Sequence, residues 1–574
     1  MKTNTLVSFL TILLVIVYFL VWQIKPFEYA DPSDLVPGTA LLYVEQGNVE
    51  EFLYDLENSK LGKALQSIDF LRIGKEIELN SEELALLGEI NDVIKDNWHN
   101  EIVRELLGKN AALALLQPVR TSVYPHLLDF IKANTVLITQ PRHKAEFLQI
   151  LVDRYAAFDE KISISTHQYG MHHIKRISID NEILSAVVID GLYLVSFEEQ
   201  QLRQCIDTFD GDLPSLPKNG VYSSLRNLYA HPDQFLFLSL KNSRELIASG
   251  LIAQEYPGKN VAEKEFAATS GFAGFSYGAW KTQSLIEDKI VVLHDDKIVN
   301  NFVDKQLKTP PAICDTLQFS PQDPLVFYWS NAIDIRSLYQ YYNETVPQTD
   351  NKLTELSKTL KDQSGETLDQ LLAFLGKEFS YIITKSQDGN FLSIPYGIML
   401  FKIENREKLE TVLEKLASSY DFPLRKEEHG PALLYSWTKS PQDGLEPLYG
   451  FLDNYLFLGN SRSLAKRVVD SSYNGLNLRN DPGFLKIDKG LSEANNYISY
   501  TNNVELINIF KSLLTLASTV IAIEDKAAAR KISILTKDVV TPLLDGLSMF
   551  NRTTTRSYFT DHSVVIDSMT KVGD

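Results

Sequence analysis

The chain writes one pattern of strands and helices twice, and a repeat of this length constrains the fold more than any other feature of the sequence. Residues 238–247 read LSLKNSRELI and residues 498–507 read ISYTNNVELI, with Ser239/Ser499, Asn242/Asn502, Glu245/Glu505 and Leu246/Leu506 identical. Upstream, 190–195 (DGLYLV) answers 453–458 (DNYLFL), and Leu107-Gly108-Lys109 answers Leu375-Gly376-Lys377. The entry strands that follow Pro37 and Pro321 also correspond, each leading into an amphipathic helix. Strand-helix patterns that match by chance rarely keep their order, so matched segments in one order point to duplication followed by loop insertion. The boundary falls near 308–320, where Pro310 and Pro311 interrupt the pattern.

Within each copy, short β-branched and aromatic runs alternate with helical periodicity. In the first, 135–139 reads as strand and 142–156 as helix, with apolar Phe147, Leu148, Leu151 and Tyr155. Strands at 162–168, 172–179, 184–189 and 192–197 follow, joined by links short enough to require hairpins and hence antiparallel pairing. The second copy repeats this with a strand at 396–403, a helix at 406–420 and strands at 432–438 and 455–458. Gly170 and Gly430 fall in matching turns, where a positive φ favours glycine.

Ahead of the repeats lies an apolar run, 6–24 (LVSFLTILLVIVYFLVWQI). At about 1.5 Å per residue it reaches roughly 28 Å, enough to cross a bilayer core. A cleavable leader needs a shorter apolar stretch ending in small residues, whereas this run ends in Trp22, Gln23, Ile24 and Lys25. The sequence therefore predicts an uncleaved signal anchor that partners the lipid bilayer through an N-terminal helix. The short head and the acidic Glu28, Asp31 and Asp34 beyond the run favour an exported body. The expected order is a cytoplasmic head at 1–5, a transmembrane helix at 6–24, and two α+β repeat domains at 31–312 and 313–574. Each domain is expected to be a mainly antiparallel sheet covered by helices. The later apolar run 513–523 is too short to span and reads as a buried helix.

The formal net charge is −18, with no Lys/Arg-rich block, which argues against nucleic acid as a partner. Cys205 and Cys314 are the only cysteines and lack C-x-x-C spacing; two buried free thiols are the simpler reading, with a disulfide between them left open.

Candidate chemistry is sparse. Gly274-Phe275-Ser276-Tyr277-Gly278 has the G-x-S-x-G form of a hydrolase nucleophile elbow, although the residues around it read as strand and its counterpart at 546–550 loses the second glycine. A strand of small residues under a helix is the competing reading. His167, His172 and His173 could ligate a metal, but adjacent His172 and His173 point to opposite faces of a strand, so only one can share a site with His167. Ser463–Lys466 and Ser215–Lys218 have S-x-x-K spacing without a K-T-G partner. Phosphate loops, dinucleotide fingerprints and zinc-protease signatures are absent from the sequence, and no cofactor is expected.

With its apolar leader, the Leu35-Val36-Pro37-Gly38-Thr39-Ala40 entry, and copies that end in matching D-[GN]-strand-helix and strand-[KT]-N-x-x-E-L segments, the chain resembles a bacterial family of single-span envelope proteins classed as a domain of unknown function. The resemblance implies an inner-membrane protein with its body in the periplasm or extracytoplasmic space, and it carries no catalytic residues. The function expected is non-enzymatic binding or scaffolding, with an envelope protein or lipid as partner. The alternatives are an envelope hydrolase using Ser276, or a lipid or lipoprotein carrier, which would need a large apolar cavity.

Overall fold

The computed structural model describes residues 30–95, 101–119, 123–142, 145, 162–179, 182–250, 270–282, 284–295, 301–345, 352–386, 395–419, 424–437, 446–524 and 526–573. The expected head at 1–5, the expected spanning helix at 6–24 and most of the expected helix at 142–156 lie outside the described residues. The described residues fall into two compact units, one drawn from 30–40, 105–119 and 128–219, the other from 41–104, 123–127 and 220–573.

Strand β1 (Leu42–Gln46) belongs to the larger unit. The smaller unit holds β2 (Asn110–Leu115), β3 (Thr135–Gln140), β4 (Ile162–Tyr169), β5 (His172–Ile179), β6 (Glu182–Ile189) and β7 (Leu192–Ser196). They form an antiparallel sheet in the order β2-β3-β7-β6-β5-β4. The hairpin chemistry is local: Gly170 turns β4 into β5 at φ +56°, and Asp190 and Gly191 turn β6 into β7 at φ +47° and +78°. Helix Glu199–Asp210 then buries Leu202, Cys205 and Ile206 and stops at Gly211, whose φ of +92° closes a left-handed cap.

The larger unit adds β8 (Gln234–Ser239), β9 (Phe272–Lys281), β10 (Leu285–His294), β11 (Val326–Ser330), β12 (Leu375–Thr384) and β13 (Tyr396–Ile403). It continues with β14 (Leu424–His429), β15 (Ala432–Trp437), β16 (Leu448–Leu452), β17 (Tyr455–Gly459), β18 (Tyr497–Asn502), β19 (Phe550–Phe559) and β20 (Ser563–Val572). The order is β1-β8-β9-β10-β20-β19-β18-β11-β12-β13-β17-β16-β15-β14, antiparallel throughout. Alternation along these strands sends Phe327, Trp329, Ile382, Ile398, Phe457 and Ile498 to one face. There they meet Leu464, Ala465, Val468 and Val469 of helix Arg462–Asn474 in a buried core, where each fully buried large side chain contributes about 1.5–3 kcal/mol.

Three expectations change. Among the described residues no helix is long and apolar enough to cross a membrane, so the expected N-terminal transmembrane helix is not supported. An apolar run of sufficient length permits a span but does not by itself build one. The expectation of a separate, mainly antiparallel sheet in each repeat also changes. β10 and β20 pair antiparallel from Leu285↔Lys571 to Leu293↔Ser563, so strands from both halves of the chain share one large sheet. A strand edge carries unpaired N–H and C=O groups along its length, and this pairing satisfies both edges at once. Finally, the apolar run at 513–523 lies in helix Asn503–Glu524, but no residue from 503 to 519 is buried, and Phe510 and Leu513 are each 49% exposed.

Candidate ligand cavity

The face of the larger sheet opposite that core carries a cavity of about 1250 Å³. Register builds its floor. Ala279 of β9 lies opposite Asp288 of β10, Ile286 opposite Thr570 of β20, and Thr570 opposite Thr553 of β19, so these side chains share one face. Tyr277, Phe550 and Val572 extend the floor.

Helices form the walls. Phe52 and Leu56 stand one helical turn apart on Val49–Asn58, and Leu61 opens the next helix, Lys60–Ser67. Between the two helices Ser59 accepts the Gly62 N–H at 2.9 Å, capping the second one as the chain turns. Helix Thr541–Leu547 packs against Lys60–Ser67 so closely that a Cβ on Gly546 would stand 2.7 Å from the Leu61 Cα. Leu506 and Ile507 close another side from the start of helix Asn503–Glu524.

The lining mixes polar with apolar side chains, Gln46, Asn48, Gln234, Thr282 and Asn503 among the uncharged polar ones. Lys281 Nζ lies 2.5 Å from Asp55 Oδ2, and Asp233 accepts the Lys281 backbone N–H at 2.7 Å. Asp288 stands on the floor itself. Burial pushes its carboxyl above the ordinary carboxylate range, and the Ser568 hydroxyl and Lys489 only partly offset this. A large cavity with this mixed lining suits binding and orienting a ligand that has both apolar and polar parts. Among the described residues no group of three or more His, Cys, Asp or Glu side chains is placed to hold a metal ion.

The residues singled out in the sequence lie elsewhere. Ser276 is in the middle of β9, fully buried on the face away from the cavity, with Oγ 2.8 Å from the Tyr229 hydroxyl and 3.3 Å from the Val291 carbonyl it donates to. A nucleophile elbow requires a strained turn that exposes its serine, and an extended strand provides none. The glycines of the motif are packing devices: a Cβ on Gly274 would stand 2.6 Å from a Val221 methyl, and one on Gly278 would stand 2.3 Å from the Tyr229 ring. His167 pairs across the hairpin with Ile174, and His173 with Gln168, which puts these two imidazoles on opposite faces. His172 shares the face of His167 but turns to Asp210, at 3.4 Å. Lys466 is held by Glu427 at 2.6 Å, and Ser463 by Ser461 at 2.9 Å. Cys205 and Cys314 are both free and buried.

Two acids escaped the sequence reading. Asp288 sits in IEDKIVVL, where strand alternation sends Glu287 and Lys289 to one face and Asp288 to the other; an acid flanked this way in an apolar strand was the available signal. Glu378, nearly buried, accepts from Trp329 Nε1 at 2.8 Å, from the Tyr455 hydroxyl at 2.7 Å and from Lys402 Nζ at 2.9 Å. Nothing in its local sequence marks it.

Comparison with known proteins adds a family and little else. Two solved structures titled as crystal forms IV and I of TP0453 align with 12% and 10% identity, covering 46% and 48% of this chain and 80% and 82% of theirs. Their TM-scores are 0.23 and 0.24, too low to carry an argument about fold or function. No curated protein matches. Residues 103–536 match a family model, and the chain belongs to the family described as Protein of unknown function (DUF3352).

Proposed function

We propose that this protein binds an apolar or amphipathic small molecule in the cavity of its larger unit, as a carrier or receptor that does no chemistry on it. The observation that carries the reading is the cavity itself: about 1250 Å³, floored by Tyr277, Ala279, Ile286 and Phe550 and walled by Phe52, Leu56, Leu506 and Ile507. That volume exceeds the roughly 300–1,000 Å³ usual for small-molecule sites and leaves room for a long hydrocarbon chain.

The repeated strand order supports reading the body as a duplication. The series β2-β3-β7-β6-β5-β4 has the order of β12-β13-β17-β16-β15-β14, and β1-β8-β9-β10 that of β11-β18-β19-β20. On this reading the cavity lies beside the junction of two equivalent last strands, β10 and β20, and takes lining from both halves of the chain.

The test is uptake of the uncharged dye Nile red by the full chain. The expected result is a blue-shifted rise in fluorescence that saturates, with Ala279→Phe and Ile507→Trp each weakening uptake about tenfold or more at an unchanged thermal midpoint. Absence of uptake by the native chain, or uptake indifferent to both substitutions, rejects the proposal.

A further inference from the structure

The charge around the cavity specifies the polar end of its occupant. Among the described lining residues the charged side chains are Glu51, Asp55, Asp233 and Asp288 against Lys281. Lys281 is already committed, with its ammonium on Asp55 and its backbone N–H on Asp233. Lys489, the cation that acts on Asp288 from beyond the lining, pairs with Glu287 at 2.5 Å. The chain as a whole carries −18, so an incoming anion meets an unfavourable field and finds the ammonium groups of Lys281 and Lys489 engaged.

We infer that the cavity takes an amphiphile whose head is a cation, an ammonium on a long hydrocarbon chain, with Asp288 on the floor as its counter-ion. The inference rests on the binding role proposed above and deepens it. Asp288 stands between Ala279 and Ser568 across the register, on a floor that also includes Tyr277, Ile286, Phe550 and Thr570. A half-buried carboxylate in such surroundings is disfavoured by desolvation, and an ammonium delivered beside it with its own chain in the apolar walls offsets that cost. Asp55 and Asp233 are held in contacts with Lys281, which leaves Asp288 as the carboxylate on the floor.

The experiment compares three twelve-carbon probes that share a tail: dodecylamine, dodecanol and dodecanoate. Each is titrated calorimetrically, below its aggregation concentration, into the full chain and into Asp288→Asn. The expected order is the amine at least about tenfold tighter than the carboxylate, with the alcohol between. Asp288→Asn should weaken the amine about tenfold and leave the alcohol unchanged. Dodecanoate binding as tightly as dodecylamine overturns the inference. So does an amine preference that survives in Asp288→Asn, since that would come from the chain's overall charge. If dodecanol and both charged probes fail to bind, the binding role itself falls; if dodecanol binds and the amine gains nothing over it, only the charge assignment falls.

Discussion

The Tyr229 hydroxyl lies 2.8 Å from Ser276 Oγ, and its ring covers Gly278 so that a Cβ there would stand 2.3 Å from the ring. The contact explains a motif that mimics a hydrolase: the serine is bonded by a buried tyrosine, and the glycine is the space that the tyrosine fills. Gly278→Ala should therefore destabilise the fold by about 1–3 kcal/mol through overpacking, read as a lower urea midpoint at unchanged slope. Ser276→Ala should cost only about 0.5–1.5 kcal/mol for the lost hydrogen bond and leave dye uptake intact.

Asp288 should give a stability signature of the opposite sign to most carboxylates. Its folded pKa is raised above the ordinary 3.8 by burial, with Ser568, Lys489 and Asp567 as the modifying neighbours. Between the unfolded and the raised folded value the native state binds more protons, so stability falls as pH rises through that window. Asp288→Asn removes this loss. Its thermal midpoint should match the native chain's near pH 3.8 and exceed it at pH 7, in a calorimetric series across that range.

Glu378 should matter to stability more than its single charge suggests. Removing it strands Trp329 Nε1–H and the Tyr455 hydroxyl in the core and frees Lys402, whose pKa the hydrogen bond to Glu378 raises. Glu378→Ala should cost about 2–4 kcal/mol in urea unfolding, discounted because Lys402 is partly exposed. Glu378→Gln should recover part of that by keeping a carbonyl acceptor.

Gly546→Ala should loosen a cavity wall. Its new methyl group meets the Leu61 Cα at 2.7 Å and pushes helix Thr541–Leu547 off helix Lys60–Ser67. The expected outcome is about 1–3 kcal/mol of lost stability together with weaker Nile red uptake.

The thiols of Cys205 and Cys314 are pushed up to about 12 by burial, first of all by desolvation. Iodoacetamide at pH 8 should leave both unmodified in the native chain and alkylate both in urea, as counted by mass spectrometry.

What the sequence made legible was local. The hairpins around Gly170 and Asp190 follow from residues that tolerate a positive φ, and the strand at 396–403 from alternation that buried Ile398 and Leu400 and exposed Met399 still display. The small residues of the Ser276 motif were readable as a strand under a cover, although Tyr229 was not, since that partner is brought in from distant chain. Two kinds of information were out of reach. Pairing between distant strands, such as Val291 with Val565, leaves no trace in periodicity. The environment of an ionisable group does not either: Asp288 and Glu287 are neighbours in sequence, and only the register shows that one faces the cavity and the other Lys489. For the same reason the apolar run at 513–523 predicted burial that residues 503–519 of its helix do not have.

The junction of β10 with β20 works as a seam, and it makes the cavity common property of both halves. Neither stretch of polypeptide encloses that volume alone. Producing either half alone removes a wall and uncovers a raw strand edge in the same stroke, so loss of the cavity and onset of self-association should arrive together.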